Sequence, residues 1–238
     1  HRFDLGPTIV TVPQVFRELW AACGRDFDAD VDLRAMDPFY EIRWPDGSHF
    51  TACQDTDRMR AEIGRLSPGD LPGYEKFLKD SERRYEFGFE DLGRRSMHKL
   101  WDLIKVLPTF GLLRADRSVY AHAAKRFRDE RLRMAFSFHP LFIGGDPFNV
   151  TSMYTLVSHL EKEYGVHYAI GGVAAIAEAM AHVVADQGGL VRQGAEVDEI
   201  LLKSGRATGV RLTGGEVIDA DVVVSNADAG HTYDRLLR

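Results

Sequence analysis

From residue 13 the apolar positions fall at helical spacing. Val15, Phe16, Leu19 and Trp20 share one stripe, Pro13 suits a first turn and Gly24 a stop, so a helix over 13–24 is expected. The period then changes. "PFYEIRWPDGSHF" alternates through Phe39, Ile42 and Trp44 before Pro45-Asp46-Gly47, which predicts a β-hairpin near 39–52. Helical spacing returns over 55–65, with Met59, Ile63 and Leu66 on one side. It continues in a charged amphipathic helix carrying Tyr74, Phe77, Leu78, Ser81 and Tyr85 along one face. Residues 97–136 read as mostly helical, broken at Pro108 and near Gly111, and 150–164 as a further helix.

Near residue 165 the character shifts. "GGVAAIAEAMAHVVADQGG" reads as a helix of small and apolar residues suited to packing on a sheet. Short strands follow in "GLVR", "AEVDEILLKSG", "RATGVRLTGG" and "EVIDADVVVSNA". Ser204-Gly205 and Gly214-Gly215 are hairpin-type turns. "DVVVSNA" is a continuous apolar run, the pattern of a strand covered on both faces. Strand-rich ends around a helix-rich middle predict an α/β (α+β) chain of two domains, one of them discontinuous.

Composition adds exclusions. The 238 residues are 45% hydrophobic and 28% charged, with a formal net charge of −6, so no global basic field draws nucleic acid. No apolar run approaches the ~18 residues of a spanning helix. Cys23 and Cys53 form no metal or CxxC pattern, and the nine histidines show no zincin spacing, so no metal site is expected and a reducing, cytoplasmic setting is. GxSxG, P-loop and EF-hand patterns do not occur. The pairs Gly144-Gly145 and Gly171-Gly172 lack GxGxxG spacing and by themselves read as turn and helix-start chemistry.

Longer stretches carry a resemblance. "FDLGPT", "DPFYEIRWPDG", "AFSFHPLFIGGDPF", "SMYTLVSHLEKEYGVHYAIGG" and "VVVSNADAGHTYDRLL" together resemble the bacterial-type phytoene desaturases, FAD-dependent carotenoid dehydrogenases of the amine-oxidase-like flavoprotein superfamily. The likeness covers essentially the whole chain. A full-length member would also carry a GxGxxG strand, a GGR motif and a closing Gly-rich motif. Their absence here implies a fragment, roughly the first half of such an enzyme without the front of its FAD-binding unit. The resemblance implies a discontinuous dinucleotide-binding domain, in part, at 1–12 and 170–238. It implies a helix-rich substrate- and membrane-binding domain at 13–169.

It also implies FAD contacts at Asp4, Gly6, Pro7 and Thr8 beside the isoalloxazine, where glycine lets backbone approach a flat ring and proline stiffens the turn. The backbone of Val197 is expected at the adenine, and Ser225, Asn226 and Ala227 at the strand end returning to the cofactor. Gly171 and Gly172 survive at the start of a helix, although Ala169 stands where relatives commonly carry proline. Read without the resemblance, Asp4–Thr8 is an ordinary turn leading into a strand.

The implied reaction is hydride transfer from an apolar polyene, phytoene or a similar carotenoid precursor, to the flavin. Asp102 and Lys105 in "LWDLIK" are the candidate catalytic pair. The alternative is two exposed charges one helical turn apart. The same stretch offers Leu100, Trp101, Ile104, Leu107, Phe110 and Leu113, with Lys99 and Lys105, as an interfacial helix for peripheral docking on the cytoplasmic face of the cell membrane. A helix packed on the protein's own core fits that pattern equally. Two rival functions stay open: a related saturase or isomerase, or a lipid-binding piece without catalysis.

Overall fold

The stripe at Val15–Trp20 folds as α1 (Pro13–Ala22), in a computed structural model that describes residue 4, residues 6–97 and residues 99–237. Pro13 opens the helix, where its missing N–H removes no bond. Gly24 follows it at φ 73°. Trp20 is fully buried, edge-on to Phe27 of α2 (Phe27–Asp30), and its indole N–H donates to Asp30 at 2.8 Å. After β1 (Leu33–Ala35) comes the expected hairpin. β2 (Tyr40–Arg43) pairs antiparallel with β3 (His49–Ala52), Ile42 opposite Phe50. Asp46 closes its turn by accepting from the Ser48 N–H at 2.8 Å.

Two helices then build the core. α3 (Thr56–Leu66) starts on Asp55, whose carboxylate accepts from the Arg58 N–H at 2.8 Å. α4 (Leu71–Tyr85) buries Tyr74, Phe77, Ser81, Arg84 and Tyr85. Phe77 touches Phe127 and Phe136, and Phe50 meets Phe136 from the hairpin side. The aromatic cluster thus joins the hairpin to the helices. Gly73 makes the approach possible, since a Cβ there would lie 1.9 Å from the Arg126 carbonyl oxygen.

α5 (Leu100–Leu112) departs from expectation by running unbroken through Pro108. Both Pro108 and Ile104, whose carbonyl loses its partner, lie on the exposed face, where a proline in a helix is best tolerated. α6 (Val119–Arg126) and α7 (Glu130–Ala135) begin on Ser118 and Asp129, whose side chains accept from backbone N–H groups. The helix expected at 150–164 starts as a 3-10 turn, Ser152–Thr155, and becomes α8 (Leu156–Tyr164), which packs on α4. β4 (His167–Ala169) pairs antiparallel with β1, Ala169 opposite Leu33. α9 (Ala174–Asp186) follows two left-handed glycines.

By compactness the chain divides into His1–Met180 and Ala181–Arg238. The second unit holds an antiparallel meander, β5 (Val197–Lys203), β6 (Arg206–Leu212) and β7 (Val217–Asp219), in that order. Both expected turns form, Ser204-Gly205 with left-handed φ at both residues. A short helix α10 (Ala229–His231) is capped by Asp228. Two expected strands are absent among the described residues. Gly189–Arg192 and Asp221–Ala227 run as irregular chain, leaving Val222 and Val224 75% and 86% exposed. A strand exists only against a neighbour, and no described strand pairs with either segment.

Candidate functional site

Segment 4–10 is fixed at one end. Val10 exchanges both backbone hydrogen bonds with His167, each at 2.8 Å, which ties it beside β4. Asp4 thereby reaches the start of α9, its Oδ2 accepting from the Val173 N–H at 3.4 Å. Gly171 and Gly172 turn the chain there at φ 92° and 86°, and a Cβ on Gly172 would sit 2.6 Å from Asp4 Oδ1. A carboxylate at a helix N-terminus is favoured by the amide dipoles it meets. Asp4, Gly171 and Gly172 are therefore brought together. Gly6, Pro7 and Thr8 are exposed, as is Gly171, whose N–H has no partner among the described residues. Phe3 and Leu5 of the same motif lie outside the described residues. The exposed glycine backbone at Gly6 and Gly171, beside a fixed carboxylate, fits the approach of a flat ring system.

The remaining cofactor candidates belong to the second unit. Val197 opens β5 opposite Leu212, just before the pairing slips at Glu199. Ser225, Asn226 and Ala227 are exposed. The Ser225 hydroxyl lies 2.8 Å from that of Thr232.

α5 presents an inverted helix. Its half-buried residues, Asp102, Val106, Thr109 and Phe110, follow one stripe, and Phe110 rests edge-on against Phe87. The opposite face carries Leu100, Trp101, Leu103, Ile104, Leu107 and Leu112, all exposed, with Trp101 at 63% and Leu112 at 82%. Of the six interfacial candidates, Leu100, Trp101, Ile104 and Leu107 thus face solvent, while Phe110 and Leu113 turn inward. Asp102 closes the first turn, accepting from the Lys99 N–H at 3.3 Å. Lys105 is exposed, and no ion pair joins it to Asp102 among the described residues. A 3-10 turn, His139–Ile143, exposes more apolar surface in Leu141, Phe142 and Ile143.

One buried polar group escaped the sequence reading. His139 Nε2 lies 3.1 Å from Glu161 Oε2, which also accepts from the Tyr40 hydroxyl at 3.3 Å. Burial, reinforced by the Glu161 carboxylate, pushes the Tyr40 phenol well above its ordinary range. His139 Nδ1 and Glu161 Oε1 have no partner among the described residues. Glu161 sits in the charged run "LEKEY", which reads as a solvated face, so no sequence signal marks it. Among the described residues no group of three His, Cys, Asp or Glu is placed to hold a metal, and no helix is long and apolar enough to cross a membrane.

Residues 1–237 match the family described as flavin containing amine oxidoreductase. The chain is 77% identical over 238 residues to a phytoene desaturase (neurosporene-forming) of Cereibacter sphaeroides, covering 100% of this chain and 46% of that protein. It is 67% identical over 239 residues to a protein of the same description from Rhodobacter capsulatus, again covering 100% and 46%. Identity to a phytoene desaturase (lycopene-forming) of a Paracoccus species is 39% over 237 residues, covering 100% and 47%. The chain thus spans about half the length of the curated relatives it matches. A crystal structure of an oxidoreductase from Methanosarcina mazei superposes with a TM-score of 0.55 at 20% identity, over 93% of this chain and 44% of that one, a likeness of fold.

Proposed function

Because the chain belongs to the flavin containing amine oxidoreductase family, we propose that it takes part in FAD-dependent desaturation of phytoene or a similar carotenoid precursor. The observation that carries this reading is the 77% identity, along the whole chain, to a protein named for phytoene desaturation. The names of the relatives favour desaturation over saturation, isomerisation or lipid binding alone.

FAD is the cofactor that family and relatives indicate, and when bound it supplies the hydride acceptor. The residues offered to it are the exposed segment Gly6, Pro7 and Thr8 and the exposed Gly171, beside the buried Gly172, where a side chain would meet the Asp4 carboxylate. Asp4 holds the start of α9 in place. Val197, Asn226 and Ala227 are the candidates in the second unit. Asp102 and Lys105 act in this reading as a helix cap and an interfacial cation.

An apolar polyene dissolves in lipid, so the protein has to meet a bilayer. We place it peripherally on the cytoplasmic face of the cell membrane, with the outward face of α5 as the docking element. A bilayer is the occupant favoured by that face, which combines tryptophan and leucines with Lys99 and Lys105 on a helix too short to span. The test is product mass. The protein carrying this sequence, expressed over its whole reading frame and given FAD and phytoene in liposomes, is expected to yield product lighter by a hydrogen pair at each step. Product of unchanged mass would make it an isomerase, and heavier product a saturase.

A further inference from the structure

Beneath the C-terminal end of α5 lies a cavity of about 420 Å³ whose chemistry the proposed reaction does not use. Leu112 and Leu113 form one wall. The rest is strongly basic: Arg83, Arg84, Arg114, Arg117, Lys125 and Arg126 line it, against the single carboxylate of Asp80. Asp80 is already engaged, 3.1 Å from His122 Nε2 and accepting from Arg126 Nε at 2.8 Å. Arg114 is held by Asp116 outside the cavity. Arg83, Arg117 and Lys125 have no carboxylate partner among the described residues.

Arg84 is the least expected member. It is buried to 3% exposure. Its Nη2 donates to the Leu113 carbonyl at 2.9 Å, and Nη1 lies 3.1 Å from His122 Nε2. Its Nε is buried with no partner among the described residues. Burial, with the positive charges of Arg126 and Arg117 added, lowers its pKa to about 10 against the pull of Asp80. A buried guanidinium with a spare donor, crowded by like charges, is a site short of an anion. The volume falls within the range of about 300–1,000 Å³ typical of small-ligand sites.

We propose that this cavity binds the phosphate of an anionic lipid headgroup. The inference rests on the reading that α5 docks on a bilayer. The cavity opens at the end of that helix, and Arg84 holds the carbonyl of Leu113, the residue that caps it, so acyl chains on the outward face and a headgroup at the basic end would be engaged together. Phosphate is the shared chemistry, and a soluble phosphate is the rival source.

The experiment is co-sedimentation of the chain with vesicles of phosphatidylcholine alone and of phosphatidylcholine with phosphatidylglycerol. Wild type is expected to bind the anionic vesicles more tightly, each basic residue near such a surface adding about fivefold. The triple variant Arg83→Gln/Arg117→Gln/Lys125→Gln, which leaves the buried network intact, should lose that preference, a drop on the order of 100-fold. It should keep its melting temperature and its binding to neutral vesicles. At matched ionic strength, phosphate should release wild type from anionic vesicles more effectively than chloride.

A triple variant that keeps the preference would overturn the proposal. So would phosphate stabilising the chain while anionic and neutral vesicles bind alike, since the ligand would then be a soluble anion. Failure of the α5 reading looks different. In that case Trp101→Glu/Leu107→Glu leaves neutral-vesicle binding unchanged, while the anionic preference and the phosphate competition persist.

Discussion

α4 and α5 are both amphipathic helices of similar length, yet they use their apolar faces in opposite ways. α4 turns Tyr74 and Phe77 into the aromatic core and most of its charges outward, Arg84 excepted. α5 turns Leu100, Trp101, Leu103, Ile104 and Leu107 outward and rests on its less apolar side. Periodicity defines a face in each. What covers that face is decided by the neighbours, and in α5 no neighbour among the described residues does so. An exposed apolar face of this kind marks an interaction surface.

The sharpest test of that contrast is a core truncation. Phe77→Ala removes a fully buried ring from the aromatic cluster, so a loss of about 3–5 kcal/mol is expected, read as a large fall in melting temperature. Unchanged melting would mean that α4 is not the core helix described here.

Next in size is the effect on lipid partition. Trp101→Glu/Leu107→Glu should cut binding to neutral vesicles by on the order of 100-fold, from about 1.5–3 kcal/mol of apolar burial lost at each site. The melting temperature should hold, because both side chains are exposed in the free chain. A large drop in melting temperature would show that α5 packs inward.

Two glycines give a smaller, matched pair. A Cβ on Gly73 of α4 would collide with the Arg126 carbonyl, so Gly73→Ala should destabilise by about 1–3 kcal/mol or more. Gly111 of α5 has open space around it, and Gly111→Ala should stabilise by about 0.5–1 kcal/mol through helix propensity. Urea midpoints of the two variants should move in opposite directions, and a shift in the same direction would break the contrast.

An effect of the same small size as that of Gly111→Ala is acid sensitivity at α4. Burial works against the Asp80 carboxylate, but hydrogen bonds from His122 and Arg126 outweigh it and hold the pKa down at about 2. A carboxylate whose folded pKa lies below its unfolded value of about 3.9 stabilises the fold fully above that value. The contribution disappears as pH falls from about 4 through about 2. It is worth about 1 kcal/mol after allowance for solvent screening. Asp80→Asn should flatten the stability curve over that window, and a curve unchanged in slope would remove Asp80 from the network.

The fold was readable where the local pattern was self-sufficient. α1, the hairpin at Pro45–Gly47 and the Ser204-Gly205 turn each carry their own period or punctuation. The β1–β4 pair was not readable, because "LRA" and "HYA" are too short to show a period and Leu33 meets Ala169 across most of the unit. "DVVVSNA" misled for the complementary reason. An apolar run reports a preference for cover but says nothing of whether a neighbouring edge is there. In the candidate site, the Asp4 and Gly171-Gly172 segments stood out singly. Their contact, between positions 169 apart, did not. His139 and Glu161 gave no signal, since their pairing depends on burial that only the packed helices create.

Trp101 also gives the chain an optical handle. Of the three tryptophans, Trp20 is sealed in the interior and Trp101 stands in solvent. Iodide in the water should quench the emission of Trp101 and leave that of Trp20 untouched. Bromine atoms carried on acyl chains should do so only once α5 has entered lipid. The residue that would anchor the helix therefore also reports, through its own fluorescence, whether it is wet or immersed.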